Sequence, residues 1–323
     1  MKIAQICPYT APAKDSMGSE RVIERLTKGL IELGHEVVMK LNPDSVDTPA
    51  PLVDKVPEDC DILHFHGWDP KTSRAEYDAY GIPYVVTMHG GGTESDAEWL
   101  TDVCENPHII CVSKFISDRL QCPAFVHSCT HPSEVIFGTQ KDDYFLWMAG
   151  TDWGESKGLF STIMMAKKMR FKLIIAGTGQ NKQMIEQIKS FEDDRIKYVG
   201  PINGMKKAIT IAAAKGFILL TQLPDACPAT VSEALMSGTP LITSGFGAMP
   251  ELMDPKVGFI CETPSDFAKA VASVGKINPA DCRNYAMENF SHTVAAQRYT
   301  YYYENMIKYG DVAGAQTQSC GIK

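Results

Sequence analysis

The sequence predicts an α/β protein with two parallel β-sheets, one in each half of the chain. Short apolar runs, typical of buried parallel strands, alternate with amphipathic, helix-like segments from one end to the other. A polar stretch at 138–143 interrupts this alternation and separates a first series of elements from a second. The 323 residues are enough for two α/β domains of ordinary size.

The first series opens with a strand at 2–7 and a helix at 19–33 whose apolar residues share one face. Gly34 is expected to end this helix, because glycine readily adopts the left-handed conformation that follows many helix C-termini. The other strands of this series are predicted at 36–41, 62–65, 84–88, 109–112 and 124–127.

The second series consists of six predicted strands separated by helix-like segments. These strands are at 144–149, 173–176, 196–199, 217–220, 241–243 and 259–261. Such alternation gives parallel sheets with helices on both faces, so we predict two Rossmann-like domains that face each other across a cleft. The predicted boundaries are 1–138 and 139–290 for the two domains, 291–310 for a C-terminal helix and 311–323 for a polar tail.

Composition excludes several classes of protein. The net charge of −8, from 31 basic and 39 acidic residues, argues against a protein that binds nucleic acid by neutralising phosphates. No long apolar stretch lacks glycine and proline, so no transmembrane helix is expected. The first seven residues lead directly into Pro8 without the apolar region of a signal peptide, and we therefore expect a cytoplasmic protein whose ten scattered cysteines are free thiols.

The segment 216–251 carries the strongest functional signal. A predicted strand leads into a polar loop at 222–227, and Pro228 then occupies the expected first position of a helix. Asp225 in the loop and Glu233 in the helix are separated by seven residues. The free N–H groups at a helix start suit a phosphate, and a carboxylate further along can accept hydrogen bonds from two vicinal ribose hydroxyls. The pattern indicates a nucleotide-sugar site.

This segment resembles the donor-site signature of the retaining glycosyltransferases of family 4, which have the GT-B fold. That signature is an acidic residue, seven others, Glu-Ala, a small residue, Gly, a small residue and Pro, followed by a glycine-rich turn and Pro-Glu. The matching residues are Asp225, Glu233, Ala234, Gly238, Thr239, Pro240, Gly247, Pro250 and Glu251. The first acid is usually Glu, so Asp225 has a shorter reach.

The resemblance implies a GT-B fold in which the first domain is on the acceptor side and the second binds the donor. It implies transfer of a sugar from a nucleotide diphosphate, with UDP-sugars favoured on frequency, to a hydroxyl of a carbohydrate or lipid-linked acceptor. It also implies that Glu233 holds the ribose, that Asp225 contacts the donor sugar, and that neither a metal nor another cofactor is needed. The C-terminal helix would pack back on the first domain.

Lys157 is the candidate for the leaving diphosphate. Lys157-Gly158 lies at a predicted helix start after the strand at 144–149, where a fixed cation can meet a phosphate. The alternative is an ordinary solvated lysine. The resembled family has the same Lys-Gly pair, but also an arginine shortly after the position of Gly150, where this chain has Thr151 and Asp152. We therefore expect fewer positive charges around the diphosphate in this chain than in the family.

Several backbone positions are expected to line the donor pocket. They are Gly150, Thr151, Gly177, Gly179, Ala229 and Thr230, and Gly18 at the start of the first helix. A dinucleotide fingerprint would require a glycine at position 182, which is Lys182, so an NAD site is poorly supported. For Gly177, Gly179 and Gly18, a tight turn or a helix cap is the competing structural explanation.

His89 follows the strand at 84–88 and precedes three glycines, so it is predicted to point toward a ligand. The resemblance implies contact with the donor sugar. His66 shares a strand face with His64 and is predicted to lie at the cleft edge, since no third metal ligand has suitable spacing. Asp59 and Asp61 are interpreted as a chance similarity to a metal-diphosphate motif.

Two alternatives to a glycosyltransferase stay open. One is an epimerase or hydrolase of the same fold that acts on nucleotide sugars. The other is a non-catalytic module that binds a nucleotide sugar without turnover, which the absent arginine favours.

Overall fold

The computed structural model describes residues 1–12, 18–67, 74–90 and 108–314. The chain divides into two compact units, one made of Met1–Cys129 and His292–Lys323 and the other of Thr130–Ser291. The predicted boundary at 138 therefore lies too late in the sequence. The reason is that the Thr130 amide donates to the Phe290 carbonyl oxygen at 2.9 Å, and Thr130 forms a parallel bridge with Ser291, which ties the segment after Cys129 to the second unit.

Unit 1 contains a five-stranded sheet in the order β2-β1-β3-β4-β5, and every strand pair is parallel. Its strands are β1 (Lys2–Ile6), β2 (Glu36–Lys40), β3 (Ile62–His66), β4 (Tyr84–Met88) and β5 (Ile109–Cys111). Its helices are α1 (Gly18–Glu32), α2 (Arg74–Asp78), α3 (Lys114–Leu120) and α10 (His292–Tyr309).

The predicted strand at 124–127 is not formed. Phe125 makes only an isolated bridge with Cys111, flanked by hydrogen bonds between the Cys111 amide and Ala124 and between the Val126 amide and Cys111. Because β5 is only three residues long, it offers this segment a single residue for pairing. Pairing therefore stops before a strand can develop.

The C-terminal helix α10 belongs to the core of unit 1. Its Tyr299, Tyr303 and Met306 are buried. The helix packs against α1 at Gly29, where a Cβ atom would lie 2.5 Å from the His292 carbonyl oxygen. A glycine at this point lets the two helices approach each other closely.

Unit 2 contains a six-stranded parallel sheet in the order β11-β10-β9-β6-β7-β8. Its strands are β6 (Phe145–Met148), β7 (Leu173–Ala176), β8 (Ile196–Tyr198), β9 (Gly216–Leu219), β10 (Leu241–Thr243) and β11 (Gly258–Ile260). Its helices are α4 (Leu159–Met169), α5 (Lys182–Ser190), α6 (Gly204–Ala213), α7 (Ala229–Met236), α8 (Pro264–Ser273) and α9 (Pro279–Phe290).

The strand order of unit 2 reverses at its centre. From β6 the chain runs outward through β7 and β8, and it then crosses to β9 on the other side of β6. In open parallel sheets, a crevice forms at such a switch point, outside the carboxyl ends of the strands, and ligands bind there. The loops after β6 and β9 flank this point, and they carry Lys157 and Asp225.

The described cysteines are all free, and all but Cys227 are buried. No helix in the described ranges is both long enough and apolar enough to span a membrane.

Candidate functional site

Lys157 and Asp225 meet at the switch point of unit 2. The Lys157 ammonium group donates a hydrogen bond to Oδ2 of Asp225 and forms an ion pair with it. The two side chains keep 24% and 14% of their surface exposed, so the pair is partly accessible to a ligand. A fixed cation and a carboxylate are thus presented together at the carboxyl ends of two neighbouring strands.

The backbone of Lys157 is held from both sides. Its amide donates to the Trp153 carbonyl oxygen at 2.8 Å, and its own carbonyl oxygen accepts from the indole N–H of the fully buried Trp147 at 3.1 Å. The preceding residue, Ser156, accepts a 2.7 Å hydrogen bond from the Gln222 amide in the loop after β9. These bonds join the two loops and fix the position of the lysine.

Gly158 allows the two loops to touch. It has a φ of +70°, and a Cβ atom there would overlap the carbonyl oxygen of Leu220. The glycine of the Lys-Gly pair is therefore required by the packing of the two loops, because any side chain would push the Lys157 loop away from the Asp225 loop.

The Asp225 loop rests on the glycine-rich turn of the signature. The Asp225 carbonyl oxygen accepts a 2.9 Å hydrogen bond from the Ala248 amide. Gly247 has a φ of +62°, and a Cβ atom on it would lie 2.5 Å from the Asp225 amide nitrogen. These two parts of the signature, which are far apart in sequence, are therefore in direct backbone contact.

Glu233 forms a buried ion pair that the sequence analysis missed. Its side chain is 3% exposed, and its Oε2 lies 2.7 Å from Nζ of Lys207, which is 15% exposed. Lys207 lies on α6, next to the exposed Lys206. From the sequence alone, two adjacent lysines in a helix indicate a solvent-exposed face. The packing of α6 against α7, which brings Lys207 to Glu233, has no signal in the local sequence.

The start of α7 presents free backbone donors. Pro228 precedes the helix and has no side chain that can cap it. Among the described residues, nothing accepts a hydrogen bond from the N–H groups of Ala229 and Thr230, and both residues are half-buried. An anion placed here would meet two N–H groups and the positive end of the helix dipole.

The turns after β6 and β7 pack on each other. The Thr151 amide donates to the Thr178 carbonyl oxygen at 2.8 Å, and Gly150 lies at the start of the same turn. A Cβ atom on Gly177 would overlap the Ala149 carbonyl oxygen, and one on Gly179 would overlap the Thr151 hydroxyl. These glycines are required by the turn itself, whether or not the turn also lines a pocket.

Asp152 has a structural role. Its two carboxylate oxygens accept hydrogen bonds of 2.9 Å from the amides of Gln180 and Asn181, and these bonds lower the pKa of Asp152. The stretch in which the resembled family has an arginine therefore carries the fully buried Thr151 and a capping carboxylate. Neither supplies positive charge.

His66 and His89 lie in unit 1, where the structure brings them together. Nδ1 of His66 is 3.0 Å from Nε2 of His89, and the two residues lie at the carboxyl ends of neighbouring strands, since His66 ends β3 and His89 follows β4. Gly18 begins α1 and is exposed, with nothing within 4 Å of a Cβ atom built on it.

Asp59 and Asp61 are both engaged by Lys2. The Lys2 ammonium group lies 2.9 Å from Asp59, and the Lys2 amide donates to Asp61 at 2.7 Å. Within either unit by itself, the described residues contain no group of three metal-ligating side chains.

Residues 137–289, which form most of unit 2, match the family model described as glycosyl transferases group 1. No curated protein matches the chain significantly.

The chain resembles solved structures over almost its whole length. AviGT4, a glycosyltransferase involved in avilamycin A biosynthesis, is 21% identical, with a TM-score of 0.76 over 95% of this chain and 98% of its own. Sucrose-phosphate synthase from Thermosynechococcus elongatus is 15% identical, with a TM-score of 0.72 over 94% and 98%. Anabaena HepE in complex with UDP is 13% identical, with a TM-score of 0.71 over 93% and 98%. These similarities confirm the predicted GT-B fold.

A methyl group at Gly158 should destabilise the protein more than one at Gly200. Gly200 also has a left-handed φ, of +69°, but open space around it, so Gly200→Ala should cost only the backbone strain of about 1–2 kcal/mol. Gly158→Ala should cost a further ~1–3 kcal/mol, because the Leu220 carbonyl must move. Urea unfolding of both variants measures the difference, and equal costs would show that the two loops are not in contact.

Stability should fall as the pH is lowered from about 7 to about 5. Burial lowers the pKa of His64 and His66 well below its usual range and that of His89 to about 4. The unfolded state then binds more protons than the folded state below about pH 6.5, so each such histidine contributes up to about 1.4 kcal/mol per pH unit. Urea unfolding across this range gives the slope, and a flat profile would contradict the lowered pKa values of these histidines. Burial also lowers the pKa of His35, so His35→Gln serves as the control that removes its contribution.

Proposed function

We propose that the protein is a retaining glycosyltransferase that transfers a sugar from a nucleotide diphosphate sugar, with a UDP-sugar favoured, to an acceptor hydroxyl. The observation that carries the proposal is the Lys157–Asp225 pair at the switch point of unit 2. It lies inside the region that matches the glycosyl transferases group 1 model. Anabaena HepE, which shares the fold, is described in complexes with UDP and with UDP-glucose.

In this proposal, Lys157 and the start of α7 hold the diphosphate. The backbone of Lys157 is held by its hydrogen bonds to Trp147 and Trp153, and its ammonium group is held by Asp225, so the cation needs little rearrangement when charge grows on the leaving oxygen. The free N–H groups of Ala229 and Thr230 supply further donors. Asp152 is used for hydrogen bonds to the backbone and supplies no positive charge. Lys157 and these N–H groups therefore provide the charge compensation that an arginine would otherwise give.

Glu233 is assigned to the ribose. A carboxylate offers about four acceptor positions on its two oxygens, so the ion pair between Oε2 and Lys207 is compatible with hydrogen bonds from two vicinal hydroxyls. The contact with Lys207 holds the carboxylate in place. Asp225, beside Lys157, is assigned to the donor sugar.

The proposed reaction is the front-face displacement that the resemblance to the retaining family implies. The bond between the anomeric carbon and the diphosphate oxygen breaks as the acceptor oxygen bonds to the same face of that carbon. The acceptor's proton passes to the leaving phosphate, and no residue of the chain is assigned as a covalent nucleophile.

A non-catalytic module that binds nucleotide sugars is the second candidate. It is favoured by Thr151 and Asp152 in place of the arginine, since this leaves less positive charge to stabilise a leaving diphosphate. Both candidates bind the donor, and only the enzyme releases UDP in an acceptor-dependent way.

A thermal-shift screen over UDP-, GDP- and ADP-sugars tests the proposal. A donor present at 100 times its dissociation constant should stabilise the protein by about 2.7 kcal/mol. Nucleoside diphosphate release is then measured with the stabilising donor and a panel of hydroxyl acceptors. Stabilisation without release under any acceptor would favour the binding module, and release without acceptor would favour a hydrolase.

The ribose role of Glu233 can be separated from its ion pair by a double-mutant cycle. Glu233→Gln should weaken UDP binding by about 1–3 kcal/mol in the wild type and equally in a Lys207→Met background, because the hydroxyl contacts are lost in both. Calorimetry with UDP measures the four affinities. Glu186→Gln, on the exposed face of α5, is the matched control and should bind UDP normally. A loss that disappears in the Lys207→Met background would assign Glu233 to the ion pair alone.

Lys157→Ala should depress turnover more than donor binding. A fixed cation interacts more strongly with the charge that develops on the leaving oxygen than with the intact donor, so kcat should fall at least ~10²-fold. Steady-state kcat and the donor Kd are measured together, with Lys168→Ala, an exposed lysine of α4, as the control. A raised Kd with kcat within a few-fold of wild type would make Lys157 a ground-state phosphate anchor.

Transfer should persist in EDTA, because the proposed positive charge comes from protein groups. The measurement is the rate of donor turnover before and after chelation. Complete loss that Mn²⁺ or Mg²⁺ restores would show that a divalent cation takes part.

A further inference from the structure

Three polar side chains form a continuous line across the sheet of unit 1. Gln5 lies on β1, His66 ends β3, and His89 follows β4, which are three adjacent strands. Nε2 of His66 is 2.5 Å from Oε1 of Gln5, and its Nδ1 is 3.0 Å from Nε2 of His89. Both ring nitrogens of His66 are therefore used inside the protein.

The line is rigidly packed. Gln5 and His66 are 0% and 2% exposed, and the His66 ring lies against that of His64, with centroids 3.9 Å apart. Nδ1 of His64 lies 2.6 Å from the Tyr303 hydroxyl, and its Nε2 lies 2.7 Å from the Thr87 hydroxyl. Neither ring can turn over without breaking two hydrogen bonds in a buried site.

The hydrogen bonds have a direction. Burial lowers the pKa of His66 well below its usual range, and that of His89 to about 4, so both rings are neutral near pH 7 and carry one proton each. The Gln5 carbonyl oxygen can only accept, which puts the His66 proton on Nε2. Nδ1 of His66 must then accept from His89, which puts the His89 proton on Nε2.

We propose that Gln5 and His66 are positioning residues that fix His89 as the Nε2–H tautomer, so that its Nδ1 presents a lone pair to a ligand hydroxyl. Within the described residues, Nδ1 of His89 has no hydrogen-bond partner, and the side chain is only half-buried. A neutral acceptor nitrogen of this kind binds a hydroxyl group and repels a phosphate oxygen.

This inference assigns a hydroxyl-binding group to unit 1, and it rests on the proposed function in taking UDP-glucose as the probe. The group recognised is a sugar hydroxyl that donates its proton, and not the diphosphate. A nucleoside diphosphate without a sugar therefore gains nothing from His89.

The tautomer can be measured directly. In protein labelled with ¹⁵N-histidine, long-range ¹H–¹⁵N correlation spectra distinguish protonated from unprotonated ring nitrogens. Wild-type His89 should show a protonated Nε2 and an unprotonated Nδ1. His66→Asn should keep this state, because the Asn carbonyl oxygen can take the place of the Nδ1 acceptor. His66→Phe removes the acceptor, and His89 should then populate both tautomers.

Binding gives a second readout. His66→Phe should weaken UDP-glucose binding about 2-fold, because with both tautomers about equally populated only half of the molecules present the acceptor nitrogen, while UDP binding stays unchanged and His66→Asn restores the loss. If His66→Phe does not fold, the wild-type spectrum and His66→Asn still decide the assignment.

A protonated Nδ1 on wild-type His89 would overturn the proposal, since the Gln5 amide would then be turned around and every donor in the line reversed. An unchanged tautomer in folded His66→Phe would also overturn it. Absence of UDP-glucose binding by the wild type would contradict the proposed function instead, because the spectra report the tautomer without any ligand.

Discussion

The close approach of two loops at the centre of the second sheet is the constraint on which the site depends. The loop after β6 carries Lys157 and the loop after β9 carries Asp225, and these strands are neighbours only because the strand order reverses between them. Gly158 permits the contact by leaving room for the Leu220 carbonyl oxygen. The ion pair is therefore a consequence of backbone packing, and the residues that allow it matter as much as the charged ones.

The signature contains two kinds of residue. Asp225 and Glu233 are the groups with ligand chemistry. Gly238, with a φ of +76°, leaves room for the Phe137 ring, and Thr239 donates to the Ile211 carbonyl oxygen at 2.6 Å, so both hold α7 and its neighbours in place. A substitution at these structural positions would impair binding indirectly, by displacing the helix whose start and whose Glu233 face the donor in our proposal.

The sequence predicted most of the fold because buried parallel strands are short, apolar and bounded by turns, which is a local signal. It did not predict what depends on tertiary pairing. The segment 124–127 has the composition of a strand but finds only one partner residue on β5, and the first boundary moved to Thr130 because of a distant contact with Phe290 and Ser291. Likewise, the resemblance pointed to Lys157, Asp225 and Glu233. The role of Lys207 depends on the packing of α6 against α7, which the sequence does not predict.

The most direct test of the central claim is a crystal structure with UDP-glucose bound. We expect the diphosphate within hydrogen-bonding distance of Nζ of Lys157 and of the amides of Ala229 and Thr230. The two ribose hydroxyls should lie on the Glu233 carboxylate, with Lys207 still paired to it. A nucleotide bound away from the carboxyl ends of β6 and β9, or a ribose without contact to Glu233, would contradict the account.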